Sequence, residues 1–401
     1  SFKVYHLLFL LLIGCVKPFS LSSGIEFEST LIVEARLTDQ ESNQQVKLTK
    51  SFPLENLIIT PDDFVTNAKV SVVENSTSVY NYQEVEPGIY NSISKFKAIQ
   101  GNSYVLKIEL SSGKKYESLV MNLPEGEIQD YDVTLNREFD ENGNEGVKID
   151  INSKGQSINK QSYYKFDYEG TYKIIAPYFR NEYFILNSTN KPHLGVRAND
   201  DGRICYGTEN SAKSLLLDSG SFTENVLAPF TLRFFKRSNP RIYHRYSIKV
   251  NQRVISREAH TFYTALEEIS KSDNVFSNNQ PGNLSGNIKS INNSSENVIG
   301  YFEVSKVLSK RVFFNYLDFF ARDGTVPTED AYFEKCHITS PTTFSSSSQP
   351  LSLKQMVEKD LVLFWLDIDP PIPFRPYQVV PKNCGDCSAL GSVSKPSFWI
   401  D

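Results

Sequence analysis

The chain is poor in the residues on which ready-made chemistry most often rests, with five Cys, five His, two Met and two Trp among 401 residues. It contains no HExxH, GxSxG, Walker loop or GxGxxG, so the usual zinc peptidase, serine hydrolase, P-loop and dinucleotide-binding signatures are absent. Only a site assembled from distant segments could still carry catalysis. An excess of positive charge is missing too: 42 Lys and Arg stand against 47 Asp and Glu, a net charge of -5. Without an overall basic field, nucleic acid is not an expected partner. Five Cys in a chain of this length exclude a small disulfide knot. What the chain does have is 40% hydrophobic and 12% aromatic residues with 22% charged, enough apolar side chain to bury more than one core.

The most specific signal lies at the front. Ser1 to Lys3 is a short, weakly basic entry, and Tyr5 to Ile13 (YHLLFLLLI) is apolar but too short to span a membrane. It runs into Leu12-Ile13-Gly14-Cys15, the pattern of a bacterial lipobox, in which the Cys thiol receives diacylglycerol after cleavage. Residues 1–14 are therefore expected to be a signal peptide, with Cys15 lipidated and 15–24 a tether. A triacylated Cys buries three acyl chains at about 0.8 kcal/mol per methylene, which makes anchoring effectively permanent. Val16-Lys17-Pro18-Phe19 follows rather than an acidic inner-membrane retention residue, which favours the outer membrane. No cofactor is expected beyond this lipid.

With Cys15 used for lipid, Cys205, Cys336, Cys384 and Cys387 remain, an even set in an exported chain. Two structural disulfides are expected, in one of three connectivities. Cys384 and Cys387 also have redox CxxC spacing, but the flanking Pro381 and Gly391 mark a turn-rich segment rather than a βαβ unit. A metal site would need a second spaced pair, and Cys336-His337 is adjacent.

From Leu31 to Leu123 short β-rich runs alternate with turns such as Pro87-Gly88, Gly101-Asn102 and Ser112-Gly113. Residues 25–126 are expected to form an immunoglobulin-like or transthyretin-like β-sandwich, with Tyr90 and Tyr104 in its core. Pro124 to Gln129 reads as a hinge. Residues 127–401 are expected to be a larger β-rich domain with one or two inserted helices. The clearer helix, near 256–270, has Ser256 as cap and Ala259, Phe262, Tyr263, Leu266 and Ile269 on one face. A shorter one is expected at Ser352 to Val357, and Asn274 to Asn297 reads as a long loop.

Other features favour plain roles. Asp140 to Gly146 resembles a calcium loop only loosely, since position six is Glu145 and position twelve Ile151. A hairpin turn is the simpler reading. The four later histidines, His193, His244, His260 and His337, form no motif. Phe234 to Lys249 interleaves aromatic and basic residues and is expected to be a strand pair with a solvated basic face.

Taken in order, several of these segments resemble a family of Bacteroidota outer-membrane lipoproteins defined by a domain of unknown function. The resemblance rests on the lipobox with Lys17-Pro18-Phe19, on Leu31-Ile32-Val33-Glu34 with Leu37-Thr38-Asp39, and on Gly88-Ile89-Tyr90. It continues through Tyr163-Tyr164-Lys165-Phe166, Tyr246 to Gln252, Gly286-Asn287-Ile288 and Gly300-Tyr301-Phe302. It ends at Cys384-Gly385-Asp386-Cys387 with Gly391, Pro396, Phe398 and Trp399. It implies a gene beside a TonB-dependent receptor, hence a non-catalytic, lipid-anchored accessory or binding protein working with an outer-membrane β-barrel and facing the cell surface. No catalytic residue is implied. The alternatives are a surface hydrolase of glycan or peptide and a structural envelope protein or adhesin.

Overall fold

The computed structural model describes residues 29–51, 60–153, 161–186, 192–221, 228–271, 284, 286–321 and 336–401. The expected signal peptide, Cys15 and the tether lie outside them. The first strands are β1 (Leu31–Thr38), β2 (Gln45–Lys50), β3 (Lys69–Glu74), β4 (Ser78–Glu86), β5 (Ile89–Ser92), β6 (Ser103–Glu109), β7 (Lys115–Ser118) and β8 (Met121–Asn122). Then come β9 (Tyr131–Phe139), β10 (Glu145–Ser153), β11 (Tyr163–Ile175), β12 (Glu182–Leu186), β13 (Pro192–Val196), β14 (Ile204–Asn210), β15 (Leu215–Asp218) and β16 (Phe230–Lys236). The rest comprises β17 (Arg245–Ile255), helix α1 (Arg257–Lys271), β18 (Ile288–Ser290), β19 (Val298–Asn315), the short helices α2 (Tyr316–Phe320) and α3 (Leu353–Glu358), β20 (Val362–Ile372), β21 (Arg375–Pro381) and α4 (Lys382–Gly385). The fold is mostly β with few helices, as its turn-punctuated alternation predicts.

One sheet of 14 strands runs through the molecule in the order β14-β11-β17-β19-β1-β2-β5-β4-β3-β6-β7-β18, with β15 on β11 and β8 on β6. β4 turns the corner of its first half, pairing with β3 through Ser78 to Asn81 and with β5 from Tyr82 to Glu86. The two halves thereby close over a core that includes Val33, Leu37, Tyr90, Tyr104 and Leu106. Tyr90 and Tyr104 are buried there, as expected. The joint with the later strands is β1 against β19, a parallel ladder from Leu31↔Val298 to Thr38↔Ser305. Parallel partners need a long crossover, and this one spans most of the chain.

A second core lies where the separate sheet β16-β10-β9 packs on β11, β17 and β19, with Val147, Ile149, Phe166, Phe235, Tyr246 and Ile248 among its members. Here the expectation for Phe234 to Lys249 is corrected. β16 pairs with β10 and β17 with β11 and β19, so the two strands belong to different sheets. They meet through side chains instead, the Phe235 and Tyr246 rings packing edge to face at 4.9 Å. The interleaved basic residues are engaged rather than simply solvated: Arg237 pairs with Glu145, and Arg233 and Arg241 converge on Glu209. The loop expected at Asn274 to Asn297 contains β18, which extends the sheet beside β7.

Disulfides join Cys205 to Cys387 and Cys336 to Cys384. Cys384 and Cys387 are therefore not each other's partners, and the redox and metal readings of that pair give way to two structural bridges. Cys205–Cys387 ties β14 at the sheet edge to the turn after α4, closing 182 residues of sequence. Breaking it with Cys205→Ser and Cys387→Ser together is expected to cost about 2–5 kcal/mol. A urea midpoint that is unchanged by the double substitution would contradict that role. Gly300 sits in the parallel seam opposite Val33 at φ +156, and a Cβ there would lie 2.2 Å from the Val33 carbonyl oxygen. Gly300→Ala is expected to destabilise the protein by about 2 kcal/mol or more, read as a lowered melting temperature.

Candidate functional site: a charged cleft beside the parallel seam

The central strands have two unlike faces, because alternate residues of a strand point to opposite sides. On β11, Tyr164, Phe166 and Tyr168 enter the second core, which leaves Lys165 and Asp167 on the other side. Register places Arg253 of β17 opposite Lys165, and Asn251 opposite Asp167. On β19, Phe302 and Val304 face the first core while Glu303 and Ser305 face the charged side, with Arg36 of β1 in register with Glu303. Four neighbouring strands thus bring Arg36, Glu303, Arg253, Asn251, Lys165 and Asp167 to one face.

Helix α1 covers one end of that face. Ser256 caps it, its hydroxyl accepting from the Ala259 backbone N–H at 3.1 Å, as the sequence predicts. The helix's Phe262 and Tyr263 pack on Tyr301. At the other end the C-terminal segment lies over the sheet, with the Arg311 guanidinium 3.6 Å from the centre of the Phe398 ring and Trp399 packed on Phe313. Beside α1 opens a cleft of ≈ 660 Å³, the size of a small-molecule site. Its walls are β1 and β2 with Glu34, Arg36, Gln45 and Lys47, the connection 210–214, and α1 with Tyr263 and Glu267. Lys165, Asp167 and Arg253 form its floor.

The floor is held together by buried charge. Glu303 is 1% exposed; its carboxylate accepts from Lys165 Nζ at 2.9 Å and from Ser305 Oγ at 2.9 Å. Arg36 Nε lies 3.6 Å away and Arg253 Nε 4.0 Å away. Arg253 donates through Nη1 to Asp167, which also accepts from Asn251 Nδ2. Lys165 Nζ stands 3.5 Å from the centre of the Tyr263 ring, a cation–π contact in a desolvated setting. Burial by itself would raise the Glu303 pKa, but Lys165, Arg36 and Arg253 outweigh it and hold the carboxyl well below the usual range. Burial pushes the Lys165 ammonium down to about 8, opposed by Glu303 and reinforced by Arg36 and Arg253. Burial likewise lowers Arg253 to about 10.

The other candidates stand apart from this cleft. Asp140 closes the β9–β10 turn, its carboxylate accepting from the Asn142 and Asn144 backbone N–H groups and the Asn144 side chain, and Gly143 takes φ +77. His193 is on β13, His244 just before β17 and His337 beside the Cys336 bridge, while His260 rests against Tyr163 with its rings 5.2 Å apart. Burial lowers the pKa of both His244 and His260. Among the described residues no three of His, Cys, Asp and Glu are gathered to hold a metal ion. None of Lys165, Asp167, Arg253 and Glu303 is a candidate site residue in the sequence taken by itself. The available signal was the charge at alternate positions of otherwise aromatic β11, but its partners lie far away in the chain.

Fold and cleft together define a β-rich protein with a charged, ligand-sized depression and no gathered metal ligands among its described residues. The chain belongs to the family of the domain of unknown function DUF4249, whose model matches residues 16–311. No curated protein matches it. Among solved structures, one described as "Biofilm associated protein - B domain" aligns over 70% of this chain and 85% of that one, at 9% identity and a TM-score of 0.15, a likeness too loose to carry an argument.

The linkage of Glu303 has a defined sign. Its folded carboxyl is held below the unfolded value of about 4.3, so its contribution is fully present above that value and is lost as pH falls. Glu303→Gln leaves three cations without their shared carboxylate and is expected to cost about 3–5 kcal/mol at neutral pH. It should also flatten part of the stability loss between about pH 5 and pH 3. Urea midpoints of both proteins across that range check this, and parallel pH slopes would count against it.

Proposed function

We propose that this protein is a lipid-anchored accessory protein of the bacterial outer membrane, held by Cys15. It acts there as a non-catalytic binding partner of an outer-membrane β-barrel, a TonB-dependent transporter or a comparable complex. This carries to the chain what its resemblance to Bacteroidota outer-membrane lipoproteins implies, including display at the cell surface.

The observation that carries the reading is the pair of disulfides in a chain whose front reads as signal core and lipobox. Structural disulfides belong to oxidising compartments outside the cytosol, and the lipobox attaches the exported chain to a membrane. The two carboxylates at the cleft floor suit binding better than acid catalysis. A hydrolytic general acid needs a carboxyl with a raised pKa, whereas Glu303 is held ionised by its cations and Asp167 is engaged by Arg253 and Asn251.

A pull-down from native outer membranes in mild detergent, through a C-terminal tag, tests the proposal. A stoichiometric β-barrel is expected with the wild-type chain and much less of it with Cys15→Ala. Recovery of the protein alone, under conditions that preserve other envelope complexes, would overturn it.

A further inference from the structure

The cleft floor is not balanced in charge or in hydrogen bonds. Arg36, Lys165 and Arg253 face two carboxylates, Glu303 and Asp167, leaving an excess of one positive charge. Lys47 does not add to it, because it pairs with Glu34 on the wall at 3.1 Å. Lys213 of the 210–214 connection brings a further cation to the lining, and Glu169 and Glu267 bring two carboxylates, so the excess is confined to the floor. The donors are also underused. Arg253 is 6% exposed, yet its Nε has no hydrogen-bond partner, since Glu303 Oε1 at 4.0 Å is beyond hydrogen-bond reach. A buried guanidinium N–H left without an acceptor is costly, and such groups are nearly always satisfied by protein, water or ligand. Lys165 gives one hydrogen bond, to Glu303, of the three its ammonium can make.

We propose that this cleft binds a small polar ligand through a carboxylate, received by Arg253, Lys165 and Arg36. A carboxylate seated on the floor offsets the one-charge excess of Arg36, Lys165 and Arg253 there and supplies acceptors, and guanidinium groups match its planar geometry. The Tyr263 ring and the polar side chains Gln45, Asn210, Ser211 and Ser214 around the cleft suit a hydrophilic body attached to that group. The inference rests on the reading of the protein as a binding module. The carboxylate of an acidic sugar and the C-terminus of a short peptide share the required chemistry.

Isothermal titration calorimetry of the full chain in mild detergent separates these sources. One pair of probes is a galacturonic acid disaccharide and its methyl ester; the other is an acetylated alanine tripeptide and its C-terminal amide. In at least one pair the free carboxylate is expected to bind at least about tenfold more tightly than its uncharged counterpart. That preference should weaken as salt is raised. Arg36→Gln withdraws one of the three cations around Glu303 from the cleft mouth, so it should lower the melting temperature by a few degrees while reducing carboxylate binding of the folded protein about tenfold. Arg253→Lys retains charge but removes the fork, and should reduce binding as well. Equal binding of charged and uncharged probes, no binding by either pair at millimolar concentration, or an Arg36→Gln protein that binds like wild type would overturn the inference. Failure here with a barrel still recovered in the pull-down leaves the accessory reading standing. Hydrolysis of a bound probe would instead sink the non-catalytic reading and keep the carboxylate site.

Discussion

A carboxylate shut off from water sits where the early and late parts of the chain meet, and much of the architecture can be understood from what that group requires. Glu303 lies on β19 in register with Arg36 of β1, along the parallel ladder that makes one sheet of the two regions. An isolated buried carboxylate is prohibitively costly, so it must be matched by cations from the strands around it. Those cations are Arg36, Lys165 and Arg253, from three different strands. The same requirement locks register. A slip of one residue would turn Glu303 into the apolar core occupied by Phe302 and Val304, and would bring those side chains out among the charges.

The charge network also decides what the central sheet can do. One face is committed to cores rich in Tyr and Phe, where Tyr131, Tyr164 and Tyr246 are fully buried. The opposite face is ionic, and α1 at one end and the C-terminal residues at the other leave a cleft beside the helix. Many ligand sites are mostly apolar, with a few polar anchors. This one has the reverse balance, and it is assembled from β1 and β2 as well as β11, β17 and α1.

Much of the β character was legible because it depends on near neighbours. Alternation along β1 and β6 marks one buried face, which takes in Tyr104, and Tyr90 is buried on β5. Ser256 ahead of a periodic apolar stripe marks α1, and Ser352 marks α3 by the same logic, its hydroxyl accepting from the Gln355 N–H. Legibility ended where a long-range partner was needed. β18 is three residues in an Asn- and Ser-rich stretch and becomes a strand because β7 offers an unpaired edge. β16 and β17 are consecutive strands, yet β16 pairs with β10 and β17 with β11 and β19. The four cysteines allowed three pairings, and packing chose one by placing Cys387 beside β14.

By itself, then, the sequence determined the mostly β class and the capped helix α1, since each is written in residues a few positions apart. Tertiary structure alone decided that Arg36, Lys165, Arg253 and Glu303 share one buried site. Up to 267 positions separate these residues, and any one of them reads locally as an ordinary charge on the outer face of a strand. Only parallel pairing of β1 with β19, and the closure of α1 over that face, removes the water that would otherwise have made those charges commonplace.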